Sequence, residues 1–92
     1  MGEFAVGDVV RSEAGRDAGD PYVVIGFSDH RVLVSEGEKK TLRRPKEKNP
    51  RHLVRVGRID SALASRIECR RSRDEDIAEF LRVYLRNNGD GR

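Results

Sequence analysis

The stretch YVVIGFSDHRVLV, residues 22–34, decides the fold of this chain. Two runs rich in β-branched and aromatic residues, 22–25 and 32–34, flank a tight connection at 28–30, which is the pattern of a β-hairpin. Both runs are apolar at successive positions, so both faces of each strand need to be covered. We therefore expect one face to fill the core of a sheet and the other face to receive a helix.

Further short strands are predicted on both sides of this hairpin. Val9 and Val10 precede a turn-rich stretch at 12–21, while residues 41–43 and 53–56 supply two later strands. Strands this short and this closely spaced favour an antiparallel sheet or barrel over βαβ units, whose crossovers need roughly a dozen or more residues. The sequence thus predicts a mainly β protein with about five short strands.

From Asp60 onward the apolar spacing becomes helical. A short helix begins at Asp60 or Ser61, either of which can accept free backbone amides of the first turn, with Ile59 packed beside it. A second helix begins at Ser72, which matches a capping box with Glu75. Its apolar residues recur along one stripe: Ile77, Phe80, Leu81, Tyr84 and Leu85. This apolar stripe needs a surface to pack against, and we expect it to pack against the sheet.

Length and composition limit the architecture to one small domain. The 92 residues suffice for a barrel over residues 1–58 and a helical appendage over residues 59–92. Charged residues make up 38% of the chain and hydrophobic residues 36%, which leaves little apolar material for a deep substrate cavity. A single cysteine, Cys69, excludes an intramolecular disulfide and a cysteine-based zinc finger.

Two observations concern the compartment. Residues 1–10 contain Glu3 and Asp8 and lack the basic and apolar regions of a signal peptide. No apolar run approaches the roughly 20 residues needed to cross a bilayer. We expect a cytoplasmic protein with no membrane partner.

The net charge of +3 conceals a segregation of charge along the chain. Residues 1–38 carry three cations and eight anions, whereas residues 39–58 carry nine cations and one anion, Glu47. Residues 59–92 are balanced. Polyanion binding needs such a density of cations, because each neutralised phosphate releases a condensed counterion. We interpret residues 39–58, the cationic segment, as a nucleic-acid-binding surface; a solvated face that keeps the protein soluble is the alternative.

The stretch GDVVRSEAGRDAG at residues 7–19, followed by the apolar runs 23–25 and 32–34, resembles the KOW motif of large-subunit ribosomal proteins and NusG-type transcription factors. With its basic segment and two helical pieces, the chain is similar to small bacterial KOW-containing RNA-binding proteins. The resemblance implies a five-stranded SH3-like barrel, here with a C-terminal pair of short α-helices. It also implies binding to RNA, usually ribosomal RNA.

The predicted RNA contacts combine one loop with the cationic segment. Gly15 and Gly19 shape the loop, since glycine reverses the chain at positive φ without steric cost, and Arg16 at its tip can contact a phosphate or a base. The remaining predicted RNA-binding residues lie in the cationic segment: Lys39, Lys40, Arg43, Arg44, Lys46, Lys48, Arg51, His52 and Arg55.

We expect these residues to act as a phosphate clamp. The strand and loop from Lys39 to Lys48 would grip one RNA backbone, while Arg16, Arg51 and Arg55 approach from adjacent elements. Arginine dominates the cations, fifteen to four, and its planar fork matches phosphate. The five aromatic residues mostly suit core positions, so backbone and shape contacts to structured RNA are expected rather than stacked bases.

No catalytic, metal or cofactor site is predicted. His30 and His52 have no Asp or Cys nearby at ligand spacing, and Cys69 has no identifiable base. We therefore expect a non-enzymatic protein that takes no small-molecule substrate, with ribosomal proteins as further candidate partners. Two alternatives are an SH3-like or Tudor-like protein-interaction module, docking on the translation or transcription machinery, and a DNA-architectural role.

Overall fold

A computed structural model describes residues 3–16 and 18–89 of the chain. The strands and α-helices follow in chain order: β1 (Asp8–Ser12), β2 (Pro21–Ser28), β3 (Arg31–Ser35), β4 (Lys46–Lys48), β5 (Leu53–Arg58), α1 (Ser61–Glu68) and α2 (Asp74–Tyr84). A 3₁₀ turn, Pro50–His52, links β4 to β5, and a π turn, Leu85–Gly89, follows α2. The prediction of a mainly β protein with two C-terminal helices is confirmed.

The five strands form one antiparallel sheet in the order β4-β3-β2-β1-β5. Within the part of the chain that the structure describes, the sheet is open, with β4 and β5 at its edges. Register shifts at Val9/Val10 and at Val24/Gly26 bend the strands, as β-bulges do. The sheet therefore curls: Lys48 on β4 donates through Nζ to Ser12 Oγ on β1 at 3.0 Å, although β3 and β2 lie between these strands.

The predicted hairpin is present as β2 and β3. Ser28 pairs with Arg31, so Asp29 and His30 alone make the turn. Asp29 has a φ of 55°, a left-handed conformation that Asp tolerates better than most residues. The tight connection expected from the sequence is thus confirmed.

Each face of the sheet carries its own apolar cluster. The inner cluster is enclosed by the curl of the sheet and consists of Val10, Tyr22, Val24, Val32, Val34 and Leu53, with Phe4 packed against it. The helix-side cluster joins the opposite face to the helices and consists of Val9, Val23, Ile59, Leu63, Ala64, Ile67, Ile77 and Leu81. Successive residues such as Val23 and Val24 point to opposite faces, and both are fully buried. The expectation that both faces are covered is confirmed.

The helix starts agree with the sequence for α1 and differ by one residue for α2. Asp60 caps α1, accepting from the Leu63 amide at 2.8 Å. In α2 the N-cap is Arg73, and Asp76 Oδ2 accepts from the Arg73 amide at 2.9 Å. The predicted box of Ser72 and Glu75 is therefore wrong, because the helix begins at Asp74 and its third residue is Asp76.

Helix α2 packs against the sheet of its own chain. Ile77 and Leu81 are buried in the helix-side cluster, and Phe80 and Tyr84 pack against that cluster. The Tyr84 hydroxyl donates to the Val56 carbonyl of β5 at 3.1 Å. Leu85 departs from the predicted stripe: it is 41% exposed and lies at the start of the π turn.

In residues 3–16 and 18–89, the structure contains no helix that is long and apolar enough to span a membrane.

Candidate nucleic-acid interface

The cationic segment runs through the loop before β4, then β4, the 3₁₀ turn and β5. Most of its predicted contact residues are exposed, as is Arg16, while three are half-buried: Lys40, Lys46 and Lys48. Several of its cations form no ion pair with any residue that the structure describes: Lys39, Lys40, Arg43, Arg44 and Arg51. These side chains can meet an incoming anion without first breaking an ion pair within the described chain.

The loop that follows β3 is tightly folded at its start. The Glu36 carboxylate accepts from the Lys39 amide at 3.0 Å and from the Lys40 amide at 3.3 Å. The buried Ser35 hydroxyl donates to the Lys40 carbonyl at 2.7 Å and accepts from the Gly37 amide at 3.1 Å. Glu36 and Ser35 thus fix the backbone beneath the two lysines, which lowers the entropy lost when the lysines bind a ligand.

The predicted strand at 41–43 is wrong, because this stretch serves the helix instead of the sheet. The Leu42 amide donates to Asp74 Oδ1 of α2 at 2.8 Å, and Leu42 packs against the helix-side cluster. Thr41 and Arg44 close a turn, with the Thr41 amide donating to the Arg44 carbonyl at 3.2 Å. Arg43 and Arg44 therefore project from an anchored turn. The fourth strand begins only after Pro45.

Strand β4 brings two lysines into the sheet. Lys46 pairs with Val34 and Lys48 with Val32. The bond from Lys48 to Ser12 joins β4 to the root of the β1–β2 loop, where Ser12 also bonds the Ala14 amide and carbonyl. The curl of the sheet thus brings the basic edge strand up to the loop that carries Arg16.

The loop between β1 and β2 has the glycine conformations that were predicted. Gly15 and Gly19 have φ values of 90° and 93°, which other residues rarely adopt. The Gly19 amide donates to the Ser12 carbonyl at 2.8 Å, and the Ala18 amide donates to the Gly15 carbonyl at 3.2 Å. Residue 17, an aspartate in the turn-rich stretch, lies outside the described residues. The loop presents Arg16 as an exposed side chain.

A second set of contacts joins this loop to the start of β5. The Glu13 amide donates to the His52 carbonyl at 2.8 Å. Asn49 caps the 3₁₀ turn by accepting from the Arg51 amide at 2.9 Å. The structure therefore places eight of the ten predicted residues in two groups and leaves Lys46, paired with Val34 on β4, and Arg55 outside both. One group, associated with the Ser12 end of β1, consists of Arg16, Lys48, Arg51 and His52; the other, on the loop anchored to α2, consists of Lys39, Lys40, Arg43 and Arg44.

Arg55 belongs to neither group, because a buried carboxylate that the sequence analysis did not single out as a contact engages it. Asp8 is fully buried. It pairs with Arg58 at 2.7 Å and with Arg55 at 3.9 Å, and it accepts from the Ala5 amide at 2.9 Å. In the sequence, the only sign of this buried carboxylate is an aspartate placed between Gly7 and the apolar pair Val9–Val10. Arg58 therefore has a structural partner, and Arg55 is shared between that partner and solvent.

The aromatic residues divide less simply than expected. Tyr22 is buried, and Phe80 stacks with Tyr84 at a ring-centroid distance of 6.2 Å. Phe27, near the end of β2, is 50% exposed. It lines a surface cleft with Phe4 and Pro50. The expectation that aromatic residues mostly serve the core therefore fails for Phe27, because the strand continues past its covered part.

Across residues 3–16 and 18–89, no group of three or more His, Cys, Asp or Glu side chains could hold a metal ion. Cys69 is exposed at the end of α1.

Comparison of the sequence with known proteins gives no matching family model and no match among curated proteins.

Proposed function

We propose that the protein binds RNA, with ribosomal RNA as the first candidate, and acts without catalysis. The observation that carries the proposal is the cationic segment, with nine cations against one anion in twenty residues. Five of these cations make no ion pair within the described chain. A surface kept merely soluble would gain nothing from such segregation, whereas a polyanion gains one counterion release for each phosphate neutralised.

The architecture supports an SH3-like fold of the KOW type. Strands β1 to β4 form a meander, and β5 returns to pair with β1. The bulges and the contact from Lys48 to Ser12 describe a sheet that curls toward closure. The root of the loop shaped by Gly15 and Gly19 is bonded to the basic edge strand through Ser12 and Lys48, which is the arrangement that the predicted clamp requires.

The proposed mechanism is a phosphate clamp with two jaws. One jaw is the anchored loop that presents Lys39, Lys40, Arg43 and Arg44. The other jaw comprises Arg16, Lys48, Arg51 and His52, with Arg55 at its border. Each jaw rests on backbone held by internal hydrogen bonds, so its cations are positioned before RNA arrives and lose less entropy on binding. Arginine forks supply bidentate phosphate contacts.

The test reverses two exposed charges on the anchored loop. Arg43→Glu with Arg44→Glu is expected to weaken binding to ribosomal RNA by about tenfold or more and to reduce the slope of log affinity against log salt by about 2. Arg71→Glu with Arg86→Glu is the matched control, since both arginines are exposed outside the segment and the net charge changes equally. Equal affinity and slope in the two double variants would contradict the clamp.

A second measurement separates RNA from a protein partner. Cosedimentation with ribosomal subunits, over a salt series and with or without nuclease, should be lost after nuclease treatment. Binding that survives digestion would favour the alternative of a protein-interaction module and would contradict RNA binding.

A further inference from the structure

We infer that the cleft between Phe4 and Phe27 binds one unpaired nucleobase that carries an exocyclic amino group. This inference rests on the proposed RNA-binding function and goes beyond it, because it assigns a base-contacting site where the sequence suggested backbone contacts alone. The cleft, here called the aromatic cleft, has a volume of about 530 Å³. That is within the range of about 300–1,000 Å³ typical of small-ligand pockets.

The floor and wall of the aromatic cleft are apolar and well supported. Val32 is buried, and Phe4 is half-buried with its ring against the inner cluster. Phe27 also lines the cleft and is 50% exposed. Pro50 completes the lining at the first position of the 3₁₀ turn. A flat π-system can lie against such a surface, since base stacking on an aromatic ring needs an exposed face and little rearrangement.

The polar rim favours a base over a phosphate. Two carboxylates, Glu3 and Asp29, line the cleft against one guanidinium, Arg31, with His30 beside them. Carboxylates repel phosphate and accept hydrogen bonds from amino groups such as cytosine N4. Adenine, guanine and cytosine carry an exocyclic amino group, and uracil does not. The chemistry of the rim therefore predicts discrimination against uracil.

The position of the cleft connects it to the proposed clamp. Val32 in the cleft pairs directly with Lys48 on β4, and Pro50 is followed by Arg51 in the cationic segment. An RNA backbone held by Lys48 and Arg51 thus passes the mouth of the cleft. A base that turns out of the stack at that point can enter while its phosphates stay on the cations, which is how proteins commonly read unpaired RNA. A peptide would gain nothing from the adjacent cations unless it were acidic, and the carboxylates of the rim would then oppose it.

The first test removes the aromatic wall. Phe27→Ala should weaken binding to a ribosomal RNA fragment with unpaired bases by at least about fivefold and leave binding to a fully paired duplex unchanged. The salt slope should also stay unchanged, because no phosphate contact is lost. Phe27→Leu keeps most of the apolar bulk but has no ring. It should therefore weaken binding as Phe27→Ala does. Val83→Ala is the matched control, because Val83 is 40% exposed on α2.

The second test uses the absence of tryptophan from the chain. Phe27→Trp places a single indole in the cleft, and Val83→Trp places one on α2 as a control. Titration with short oligocytidine or oligoadenosine should quench the tryptophan fluorescence of Phe27→Trp and leave that of Val83→Trp unchanged. Oligouridine should quench the fluorescence of Phe27→Trp less strongly. Asp29→Asn keeps a residue that tolerates the left-handed backbone and should reduce the preference against uridine, since it removes one of the two carboxylates that line the cleft.

The outcomes separate this inference from the proposed function. If the Arg43→Glu/Arg44→Glu variant loses affinity while Phe27→Ala matches Val83→Ala, RNA binding stands and the base site is overturned. If the unsubstituted protein does not bind the RNA, the proposed function fails and the base site fails with it. If Phe27→Ala weakens a ribosome association that survives nuclease, the cleft serves a protein and the inference is overturned.

Discussion

The two faces of the sheet are closed by different means. The helix-side cluster is built by residues distant in sequence, with α1 and α2 laid over Val9 and Val23. The inner cluster is closed by the curl of the sheet itself, with Phe4 as an added cover. The helix side is fastened by the bonds of Leu42 to Asp74 and of Tyr84 to Val56. The aromatic cleft and the cations near the Ser12 end of β1 lie around the other closure, whereas the loop that carries Lys39, Lys40, Arg43 and Arg44 is anchored to α2 on the helix side.

This difference separates stability from binding. On the helix side, polar contacts join one element to another. In the exposed cationic loops, the backbone is fixed by internal hydrogen bonds while the charged side chains remain exposed. Substitutions on the helix side should therefore change the free energy of unfolding and spare RNA affinity, and substitutions in the exposed cationic loops should do the reverse.

The largest expected effect is on the helix side. Ile77 is fully buried in the helix-side cluster, and Ile77→Ala should lower the free energy of unfolding by about 2–5 kcal/mol, because it removes apolar contacts and leaves a cavity. Chemical denaturation followed by circular dichroism measures the loss. Val83→Ala, on the exposed side of the same helix, should stay within about 0.5 kcal/mol.

The RNA affinity of the Ile77 variants tests whether stability and binding are separate. Under conditions where Ile77→Ala is folded, its affinity should equal that of the unsubstituted protein. If the variant is unfolded at 25 °C, Ile77→Val gives a smaller, graded loss of about 0.5–1.5 kcal/mol. A folded Ile77 variant with greatly weakened RNA binding would break the separation of the two faces.

Two glycines give the next effect in size. Gly37 has a φ of 87°, and an added Cβ would lie 2.5 Å from the Asp74 carbonyl oxygen and 2.8 Å from the Ala78 amide nitrogen. Gly19 has a φ of 93° and no heavy atom within 4 Å of an added Cβ. Gly19→Ala should cost about 1–2 kcal/mol of backbone strain. Gly37→Ala should cost more, because α2 must also move away.

The difference between these two alanine variants isolates the close approach of α2 to the β3–β4 loop. Thermal unfolding of both variants measures it directly. Equal losses would mean that the loop yields easily and that α2 is not held there. A loss at Gly37 alone would mean that the β1–β2 loop carries little strain at Gly19.

Much of this architecture follows from local patterns in the sequence. The hairpin, the cover on both sheet faces and the cap at Asp60 depend on residue types at short range, and these predictions are confirmed. The strand at 41–43 was wrong because Leu42 has the local character of a strand residue yet bonds Asp74, 32 positions away. Only the packed tertiary structure reveals that competition.

The candidate site was predictable in composition and less so in arrangement. Charge counting identifies the cationic segment, since it needs only the order of residues along the chain. It cannot separate Arg58, which neutralises the buried Asp8, from Arg51, which makes no ion pair in the described chain. Nor can it indicate that Phe27 is exposed, because an aromatic residue in a strand usually suits a core.

The smallest expected effect compares those two arginines. Arg58→Ala leaves the buried Asp8 carboxylate without its 2.7 Å partner and removes a donor to the Val6 carbonyl. The free energy of unfolding should fall by only about 1 kcal/mol, because the Arg58 side chain is half-exposed and water replaces part of the contact. Arg51→Ala should leave stability within about 0.5 kcal/mol.

For RNA binding, Arg51→Ala should have the larger effect and Arg58→Ala the smaller one. Arg51→Ala should reduce the salt slope by about 1, as the loss of one phosphate contact does, whereas Arg58→Ala should leave the slope unchanged because its guanidinium is already committed to Asp8. The two variants carry the same net charge, so a difference between them reflects where each cation sits. Equal reductions in slope would mean that RNA responds to total charge alone, and the division between structural and binding arginines would then fail.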